Sequence, residues 1–513
     1  MRHFLSFAYN VHDSSVSVAD EERVLLVLEA ERFFGEKKKA CTRAEMDQLI
    51  YAALAHCGIE IGSVAGVACA AYKNEHVPES LRHLKWLAQH ELEIQGKRFD
   101  ALVMNHHLAH AAIVHAFPDA RDVAIDVCDG GGDFGDTHGI YRCQGGKISQ
   151  LPNRPVHEAF SSRFYDVISR YIYGRIMCEG KLMALGSLGE PRADMMAFVR
   201  ENLPMFHDAK PEESLAVLAR RFPVDDYRRS VTAFDLAAST QRVFEELRVE
   251  SVAALPSDAP QVMLAGGASL NIVANTRVRE FLGSSRQLLL PPCCDDTGQS
   301  LGALLYYCHE RAGLKISAAM PFLGYSDGIG EVPLAAADAT EELVSFLGQG
   351  GIVFLHRGQS EIGPRALGHR SILAIPTRRS FDLINHVIKE REFYRPLAPI
   401  LPLSAASTWF DWEGESKYML CAAETRPETR LRAPGICHYD NSARLQTVAK
   451  EEDPFLHALL VRVGELTGVP ILINTSLNPR GAPILSKLAA TLAFGHSVRG
   501  LGARVFHAGR FQT

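Results

Sequence analysis

The chain lacks several features that would place it in a class at once. Its 11 cysteines are scattered, form no CxxC pair, and include only one adjacent pair, Cys293 and Cys294. This usage is typical of reduced thiols in a cytosol rather than of a disulfide scaffold or a zinc ribbon. The start MRHFLSFAYN has no apolar run followed by a small-residue cleavage site. We therefore expect no signal peptide and a cytoplasmic location.

Further absences restrict the partners. No uninterrupted apolar stretch approaches the roughly 20 residues of a membrane helix, so no membrane association is expected. The 54 Lys+Arg against 60 Asp+Glu give a net charge of −6, without a basic run, which disfavours nucleic acid as the main partner. There is no Walker A motif and no G-x-G-x-x-G after a strand, which disfavours P-loop and Rossmann nucleotide sites. The sequence is compatible with a homo-oligomer.

What is present begins with a repeated pattern. The first thirty residues predict three strands, FLSFA, SVSVAD and RVLLVLEAERF, and the same rhythm returns in DVAIDVCD, GIYRC and KISQL at residues 122–150. Two such units predict a duplicated α/β fold of the kind found in actin-like and sugar-kinase-like ATP-binding proteins. Strands and helices alternate elsewhere, which favours mixed or parallel sheets.

A loose Gly-, Ala- and Asp-rich segment near residues 315–340 marks a domain boundary. Beyond it, the helix EELVSFLGQG and the strand GIVFLHR begin a new α/β unit. We expect an N-terminal domain at residues 1–338 and a C-terminal domain at residues 339–513.

One histidine-rich segment, NHHLAHAAIVHAF, predicts a helix capped by Asn105, with His106 and His110 on one face. Such a pair can bind a metal, but in isolation it is more often a pair of structural histidines. No Glu stands between them, which disfavours HEXXH-type proteolysis. Asp129 ends a strand and Asp296 lies in PPCCDDTGQSLGA; each alone could be a cap or turn residue. Together the four would form a mixed N/O site suited to Fe(II), Zn or Mn.

Glycine-rich loops predict contacts with a nucleotide. Gly266 and Gly267 end a strand in LAGGASLN and let backbone amides approach a ligand, with Asn271 at the next helix start. Lys181, among the glycines of EGKLMALGSLG, could contact phosphate or be a solvated surface lysine. With the glycines after Asp129, the expected nucleotide contacts of this domain are Gly130, Gly131, Lys181, Gly266, Gly267 and Asn271.

The densest group of basic residues lies between positions 356 and 395, in apolar sequence punctuated by Pro and Gly. Arginine forks held among buried apolar residues commonly bind phosphate or carboxylate in a bidentate way. The alternative is a set of structural arginines paired with Glu361, Glu390 and Glu392, and we prefer phosphate binding. The candidates, with donors further along the chain, are Arg365, Arg370, Lys389, Arg391, Arg395, Arg444, Asn474, Thr475 and Ser476.

A set of motifs runs nearly end to end: HDSS at His12–Ser15, HHLAHAA, DGGG, GKLM, DLAAST, GGASLN, GPRALGHRSIL, REFYRPLAP, ARLQTV and NTSLN. In these motifs the chain resembles the carbamoyltransferases grouped with nodulation protein U, cephalosporin O-carbamoyltransferase and tobramycin carbamoyltransferase. The resemblance implies a duplicated actin-like N-terminal domain, similar to the universal tRNA threonylcarbamoyl-transfer protein. It also implies a YrdC-like α/β C-terminal domain.

The same resemblance implies the chemistry. Carbamoyl phosphate and ATP, the latter with Mg²⁺, would give carbamoyl-AMP in the C-terminal domain. A divalent metal, Fe(II) favoured and Zn or Mn as alternatives, would be held by His106, His110, Asp129 and Asp296. His12 would take the proton from the hydroxyl of a small-molecule acceptor, a secondary metabolite.

Three other functions stay open. A tRNA threonylcarbamoyl-type transferase is disfavoured by the acidic balance and the fused GPRALG domain. A metallopeptidase has only HxxxH in its favour. A non-enzymatic actin-like ATP-binding protein explains the duplicated fold, but it leaves His12 and the basic cluster without a role. The chain departs from the family pattern at Ala184, which replaces a glycine after GKLM. How closely a ligand can approach the backbone there is left open.

Overall fold

The computed structural model describes residues 2–9, 11–72, 75–82, 84–156, 162–208, 210–327 and 337–512. The described chain is mixed α/β and is built on three larger sheets and one small one. No helix in the ranges just given is both long and apolar enough to cross a bilayer.

The first sheet has the strand order β3-β2-β1-β4-β6-β5. Strand β1 pairs with β2 in the antiparallel sense and with β4 in the parallel sense, and β4 continues in parallel to β6. Nearly every residue of the first four strands is buried, so both faces of this sheet are covered. The strands are β1 His3–Ala8, β2 Ser15–Ala19, β3 Val24–Glu29, β4 Val64–Ala70, β5 Leu87–Ile94 and β6 Lys97–Met104.

The second sheet repeats this order as β9-β8-β7-β10-β11. Its first three strands are antiparallel neighbours, and β10 and β11 extend it in parallel. The repeat confirms the duplicated, actin-like α/β arrangement predicted from the sequence. The strands are β7 Asp122–Cys128, β8 His138–Gln144, β9 Lys147–Leu151, β10 Gln261–Ala265 and β11 Gln287–Leu289.

The two sheets share a core around a pair of helices, His106–Ala112 and Gln299–Tyr306. These helices approach very closely, because a Cβ on Gly302 would lie 1.8 Å from the carbonyl oxygen of Ala109. Only glycine fits at this position. Each helix begins with polar residues directed toward one end of the core, and those residues form the site described below.

The third sheet has seven strands in the order β18-β14-β19-β13-β12-β20-β21, and β15, β16 and β17 form a separate small sheet. Apolar clusters cover the larger sheet on both faces. The strands are β12 Ile352–His356, β13 Arg370–Ala374, β14 Ala398–Pro402, β15 Phe410–Asp411, β16 Ala422–Thr425, β17 Ser442–Arg444, β18 Gln446–Val448, β19 Leu472–Ser476, β20 Ala503–His507 and β21 Arg510–Phe511.

Helices are present at both predicted places, His106–Ala112 and Ala337–Gly348, and one predicted strand is corrected. The predicted third strand ends at Glu29, and Ala30–Phe34 forms a short helix that Gly35 ends with a φ of 74°. The helices are Ala30–Phe34, Arg43–His56, His106–Ala112, Arg163–Tyr173, Glu179–Leu185, Ala193–Glu201, Leu203–Asp208, Pro211–Arg221, Val231–Ala253, Ile272–Leu282, Gln299–Tyr306, Ala337–Gly348, Arg378–Asp382, Ala406–Trp409, Pro427–Arg432, Pro454–Thr467 and Leu488–Ser497, with π-helical turns at Tyr307–Arg311 and Leu383–Ile388.

The predicted boundary between residues 338 and 339 adjoins residues 328–336, which lie outside the described residues. The division into two domains therefore stays a prediction. On either side of it the sheets are separate, since no strand of the first two sheets, as described, pairs with a strand of the third.

Candidate active site

Four predicted metal ligands converge at one end of the shared core. The Nε2 atoms of His106 and His110 lie 3.2 Å and 3.1 Å from Asp129 Oδ2, and His110 Nε2 lies 3.2 Å from Asp296 Oδ1. One ligand atom from each residue lies within 4.8 Å of all the others. The structure thus brings together residues that are up to 190 positions apart in the sequence.

Local structure explains why these side chains meet. Asn105 caps the histidine helix by accepting a hydrogen bond from the amide of Leu108, as predicted. Asp133, which the sequence reasoning did not select, accepts a hydrogen bond from the amide of His106 at 2.7 Å. Asp129 directly follows β7. Its carboxylate faces the helix because strand ends and helix starts meet at this edge of the sheet.

The donor set fits a divalent metal. Two imidazoles and two carboxylates are a mixed N/O set, and the two negative charges offset those of the ion. Burial raises the pKa of Asp129, but the hydrogen bonds from His106 and His110 hold it well below its usual range. Burial lowers the pKa of His110, whereas its bonds to Asp129 and Asp296 raise it to about 9. The Asp129 carboxylate is therefore in the ionised form that a metal requires, whereas His110 must release its proton for Nε2 to bind one.

His12 lies at the margin of this cluster. Its Nδ1 is 3.0 Å from Asp13 Oδ2 and 3.7 Å from Asp296 Oδ2. Asp13 is almost fully buried, has a φ of 55°, and also accepts a hydrogen bond from Lys38 Nζ at 2.5 Å. Burial lowers the pKa of His12, but the bond to Asp13 and the charge of Asp296 raise it to about 9. A buried carboxylate that orients a histidine is typical of a general base, and with this pKa His12 can accept a proton only in the fraction of molecules in which it is unprotonated.

The predicted glycine loops meet beside Asp129. A Cβ on Gly266 would lie 2.2 Å from the Cys128 carbonyl oxygen, and one on Gly267 would lie 3.0 Å from Asp129 Oδ1. The amide of Gly130 donates to Asp129 Oδ1 at 2.7 Å. Gly131 lies in the same loop, next to the guanidinium of Arg163.

Two predicted nucleotide contacts bind protein groups in this structure. Asn271 caps the helix Ile272–Leu282 and donates to Gln241 Oε1 at 2.9 Å. Lys181 forms a short ion pair with Glu392, which belongs to the region after residue 339. Neither Lys181 nor Asn271 therefore directs an uncommitted polar group toward a nucleotide here.

The basic residues of the later region separate into two groups, and the first group is structural. Arg370 is fully buried, and its guanidinium donates to backbone carbonyls that include those of Arg357, Gly358 and Ser486. Lys389 Nζ donates to Asn478 O at 3.0 Å and to the β19 end at Ser476. The expectation of phosphate binding does not fit Arg370, because every N–H of its guanidinium fork faces protein carbonyls.

The second group comprises Arg365, Arg391, Arg395 and Arg444, which we call the arginine cluster. Arg395 lies 3.7 Å from Glu392, whereas the other three form no ion pair with any carboxylate of the described residues. Burial, followed by the charges of the other three guanidinium groups, pushes the pKa of Arg444 well below its ordinary value. The Nε atoms of Arg365 and Arg444 are buried without a hydrogen-bond partner in the described chain. This arrangement favours an anion bound among them.

The remaining predicted donors lie at the end of β19. Asn474 is fully buried, donates to Gln446 Oε1 at 2.8 Å, and leaves its own Oδ1 without a described partner. Thr475 and Ser476 follow it, and the Ser476 hydroxyl donates to Asn478 Oδ1 at 2.7 Å. Sequence reasoning had not selected Asn478, whose only signal was its position two residues after a strand end.

The loop that carries Arg365 contacts the N-terminal region that also holds His106, His110, Asp129 and Asp296, which we call the metal cluster. Arg365 donates to the carbonyl of Leu270 at 3.5 Å, in the loop that follows Gly267. The amide of Gly363 donates to Glu29 Oε1 at 2.6 Å, and Arg32 donates to the carbonyl oxygens of Glu361 and Gly363. The loop that carries Arg365 is thus held by side chains of the first sheet region.

Comparison with known proteins identifies the family. A model described as carbamoyltransferase N-terminus matches residues 73–305, and one described as carbamoyltransferase C-terminus matches residues 344–500. The chain belongs to the carbamoyltransferase family. The two matches contain all four members of the metal cluster and the whole arginine cluster, while His12 precedes the first match.

The chain is also similar to individual curated proteins. Nodulation protein U of Bradyrhizobium diazoefficiens is 34% identical over 55% of this chain and 52% of its own length. Nodulation protein NolO of the same organism is 28% identical over 75% of each protein. An uncharacterized protein of a Synechocystis strain is 29% identical over 94% of this chain and 92% of its own length.

Solved structures are more distant. Component A of (R)-2-hydroxyglutaryl-CoA dehydratase from Acidaminococcus fermentans covers 61% of this chain with all of its own, at 14% identity and a TM-score of 0.38. HypF of T. kodakarensis covers 61% with 48% of its own chain, at 13% identity and a TM-score of 0.35. At these scores the likeness to solved structures carries no argument about the fold. The strand order alone establishes the repeated sheet.

Proposed function

We propose that this carbamoyltransferase activates carbamoyl phosphate with ATP and transfers the carbamoyl group to a hydroxyl of a small molecule. The observation that carries the proposal is the arginine cluster, in which Arg365, Arg391 and Arg444 form no ion pair with a described carboxylate and the Nε atoms of Arg365 and Arg444 are buried without a described partner. Carbamoyl phosphate and ATP both present the phosphate oxygens that such groups bind. Membership of the carbamoyltransferase family supplies the group that is transferred.

In the first half-reaction, Arg365, Arg391, Arg395 and Arg444 bind and orient the phosphates of both substrates. Carbamoyl phosphate and water give carbamate and phosphate, and the carbamate oxygen then attacks the α-phosphorus of ATP, whose Mg²⁺ accompanies it. The products are carbamoyl-AMP and pyrophosphate. Positioning and charge stabilisation do most of the work in phosphoryl chemistry of this kind, and fixed guanidinium forks contribute both.

In the second half-reaction, His12 removes the proton from the acceptor hydroxyl. Asp13 holds the imidazole through its Nδ1, so that Nε2 faces the substrate. The acceptor oxygen forms a bond to the carbamoyl carbon, the bond to the AMP oxygen breaks, and AMP leaves. A divalent ion held by His106, His110, Asp129 and Asp296 would supply Lewis-acid polarisation of the carbamoyl oxygen.

The test is pyrophosphate release from ATP, measured with and without carbamoyl phosphate and in the absence of any acceptor. We expect release that depends on carbamoyl phosphate, is lost in Arg365→Ala and persists in His12→Ala. Arg142→Ala, a matched change at an arginine paired with Asp122 and Asp258, should retain full release. Release that does not depend on carbamoyl phosphate, or that survives Arg365→Ala unchanged, would contradict the proposed first half-reaction.

A further inference from the structure

A small cavity with charged and hydroxyl side chains in its wall lies where the first sheet region meets the loop after β12. Its volume of about 10 Å³ is enough for one water molecule. Glu29, at the end of β3, and Arg32, in the helix that follows, line one side of it. Ser360 and Glu361 line it from the loop after β12, and Ser486 lines it from the segment after β19. None of these residues belongs to the metal cluster or to the arginine cluster.

Each of these residues has one buried polar atom without a hydrogen-bond partner in the described chain. The atoms are Glu29 Oε2, Arg32 Nε, Ser360 Oγ, Glu361 Oε2 and Ser486 Oγ. The most exposed of the residues, Arg32, is only 7% exposed, so bulk solvent does not satisfy these atoms. Arg32 Nε lies 2.6 Å from Glu29 Oε2, but the pair is too poorly aligned to form a hydrogen bond. Buried polar groups are nearly always hydrogen-bonded to protein or to ordered water, so this group of atoms indicates a bound molecule.

We infer that this cavity binds one ordered water molecule, which joins the N-terminal region to the loop after β12. Water fits because the wall presents both acceptors and donors. Its two O–H groups can donate to Glu29 Oε2 and Glu361 Oε2. Its two lone pairs can accept from the hydroxyl groups of Ser360 and Ser486, or from Arg32 Nε in place of one of them. A buried water typically makes about three hydrogen bonds of this kind.

A metal cation is the alternative occupant, because carboxylate and hydroxyl oxygens also bind metals. Two features oppose it. Arg32 lines the same cavity, and its guanidinium keeps its charge in proteins and repels a cation. Burial raises the pKa of Glu29 to about 8, although the charge of Arg32 lowers it, which makes this carboxyl a weaker ligand for a cation at neutral pH. Water suits either protonation state of Glu29, since it both donates and accepts hydrogen bonds.

The bound water fixes the loop that carries Arg365 through two carboxylates. Glu29 Oε1 accepts a hydrogen bond from the amide of Gly363 at 2.6 Å, and Glu361 Oε1 accepts one from the amide of Leu367 at 2.6 Å. Each carboxylate therefore holds the loop by one oxygen and leaves the other for the water. A water between the two Oε2 atoms sets the orientation of both carboxylates and, through them, of that loop. The water site is independent of the proposed reaction, because none of its residues is assigned to either half-reaction.

The test counts long-lived internal water molecules in the full chain by oxygen-17 magnetic relaxation dispersion, with Ser486→Val as the variant. Valine removes one hydroxyl donor and adds a methyl group to the wall of a cavity that has room for a single water. We expect Ser486→Val to lose one long-lived water per chain relative to the unchanged protein. The control Ser257→Val makes the same change at an exposed serine and should leave the number unchanged. An unchanged number in Ser486→Val would overturn the inference.

Crystals of the unchanged chain, grown with Rb⁺ as the only monovalent cation, give a second measurement that stands even if Ser486→Val does not fold. We expect an ordered water in the cavity, within hydrogen-bond distance of at least three of the five unpartnered atoms, and no anomalous signal from rubidium there. A cavity without ordered density would refute the water site. An anomalous rubidium peak in the cavity would refute it as well, because the occupant would then be a cation.

Discussion

Replacing Arg444 by methionine should stabilise the free protein while removing its anion site. The Arg444 Nε is buried without a described hydrogen-bond partner, and the charges that face it come from Arg365, Arg391 and Arg395. Arginine does not lose its proton in proteins, so the downward push on its pKa represents a free-energy cost carried by the folded state. The substitution removes that cost.

The size of the effect follows from the burial of like charges. Exchanging buried ionic groups for apolar ones of similar volume is commonly neutral or stabilising by about 1–4 kcal/mol. Because Arg444 is only half-buried and solvent screens the neighbouring charges, we expect a gain in the lower part of that range. Methionine has a long, unbranched side chain that can fill the space of the arginine stem without strain.

The assay is thermal unfolding with and without inorganic phosphate. At a phosphate concentration of 100 Kd, the unchanged protein should gain about 2.7 kcal/mol of stability. Arg444→Met should start from a higher midpoint and gain little from phosphate. The control is Arg142→Met, which breaks partly exposed ion pairs worth about 0–1 kcal/mol and should keep the full phosphate shift. A lower midpoint for Arg444→Met together with an undiminished phosphate shift would refute both the repulsion and the anion site.

Three other changes test the rest of the structure. Gly302→Ala should lower the free energy of unfolding by about 1–3 kcal/mol and weaken metal binding, because the new Cβ would lie 1.8 Å from the carbonyl oxygen of Ala109. The control Gly62→Ala, with open space around its Cβ, should change the thermal midpoint little. Asp13→Asn removes a hydrogen bond and a charge that raise the pKa of His12, so the acid limb of the transfer rate should move to lower pH; an unmoved limb would exclude His12 as the titrating base. Arg32→Met should raise the KM for carbamoyl phosphate in pyrophosphate release, because Arg32 holds the loop of the arginine cluster; an unchanged KM would show that this loop keeps its shape unaided.

Much of the fold could be predicted because its signals are local. The two strand–loop–hairpin units are visible in the alternation of apolar runs and turns, and both formed sheets of the same strand order. The residue type of Asn105 predicted a helix start, and Asn105 caps that helix. The short helix after Glu29 was missed because AERFF continues an apolar strand without a break, and only Gly35 marks its end.

The metal cluster was predictable in part for a similar reason. His106 and His110 are four residues apart, the spacing of one helix face, and Asp129 follows directly after a strand. Gln299 carries no such signal, since a glutamine at a helix start usually remains in solvent. Its position beside His106 and His110 depends on the close approach of two helices at Gly302, a contact between segments that are nearly 200 residues apart.

The arginines show most clearly where sequence reasoning ends. Arg365 and Arg370 lie in the same motif, five residues apart, and share the same apolar surroundings. The structure gives Arg370 a full set of backbone carbonyls, whereas it leaves Arg365 with one long hydrogen bond to Leu270. Their roles differ because β13 begins at Arg370, which fixes the Arg370 side chain within the sheet region. Arg365 lies in the preceding loop and contacts Leu270 of the N-terminal region. Composition and spacing specify that arginines are needed here, but only the packing of the loop against the first sheet region decides which of them can bind an anion.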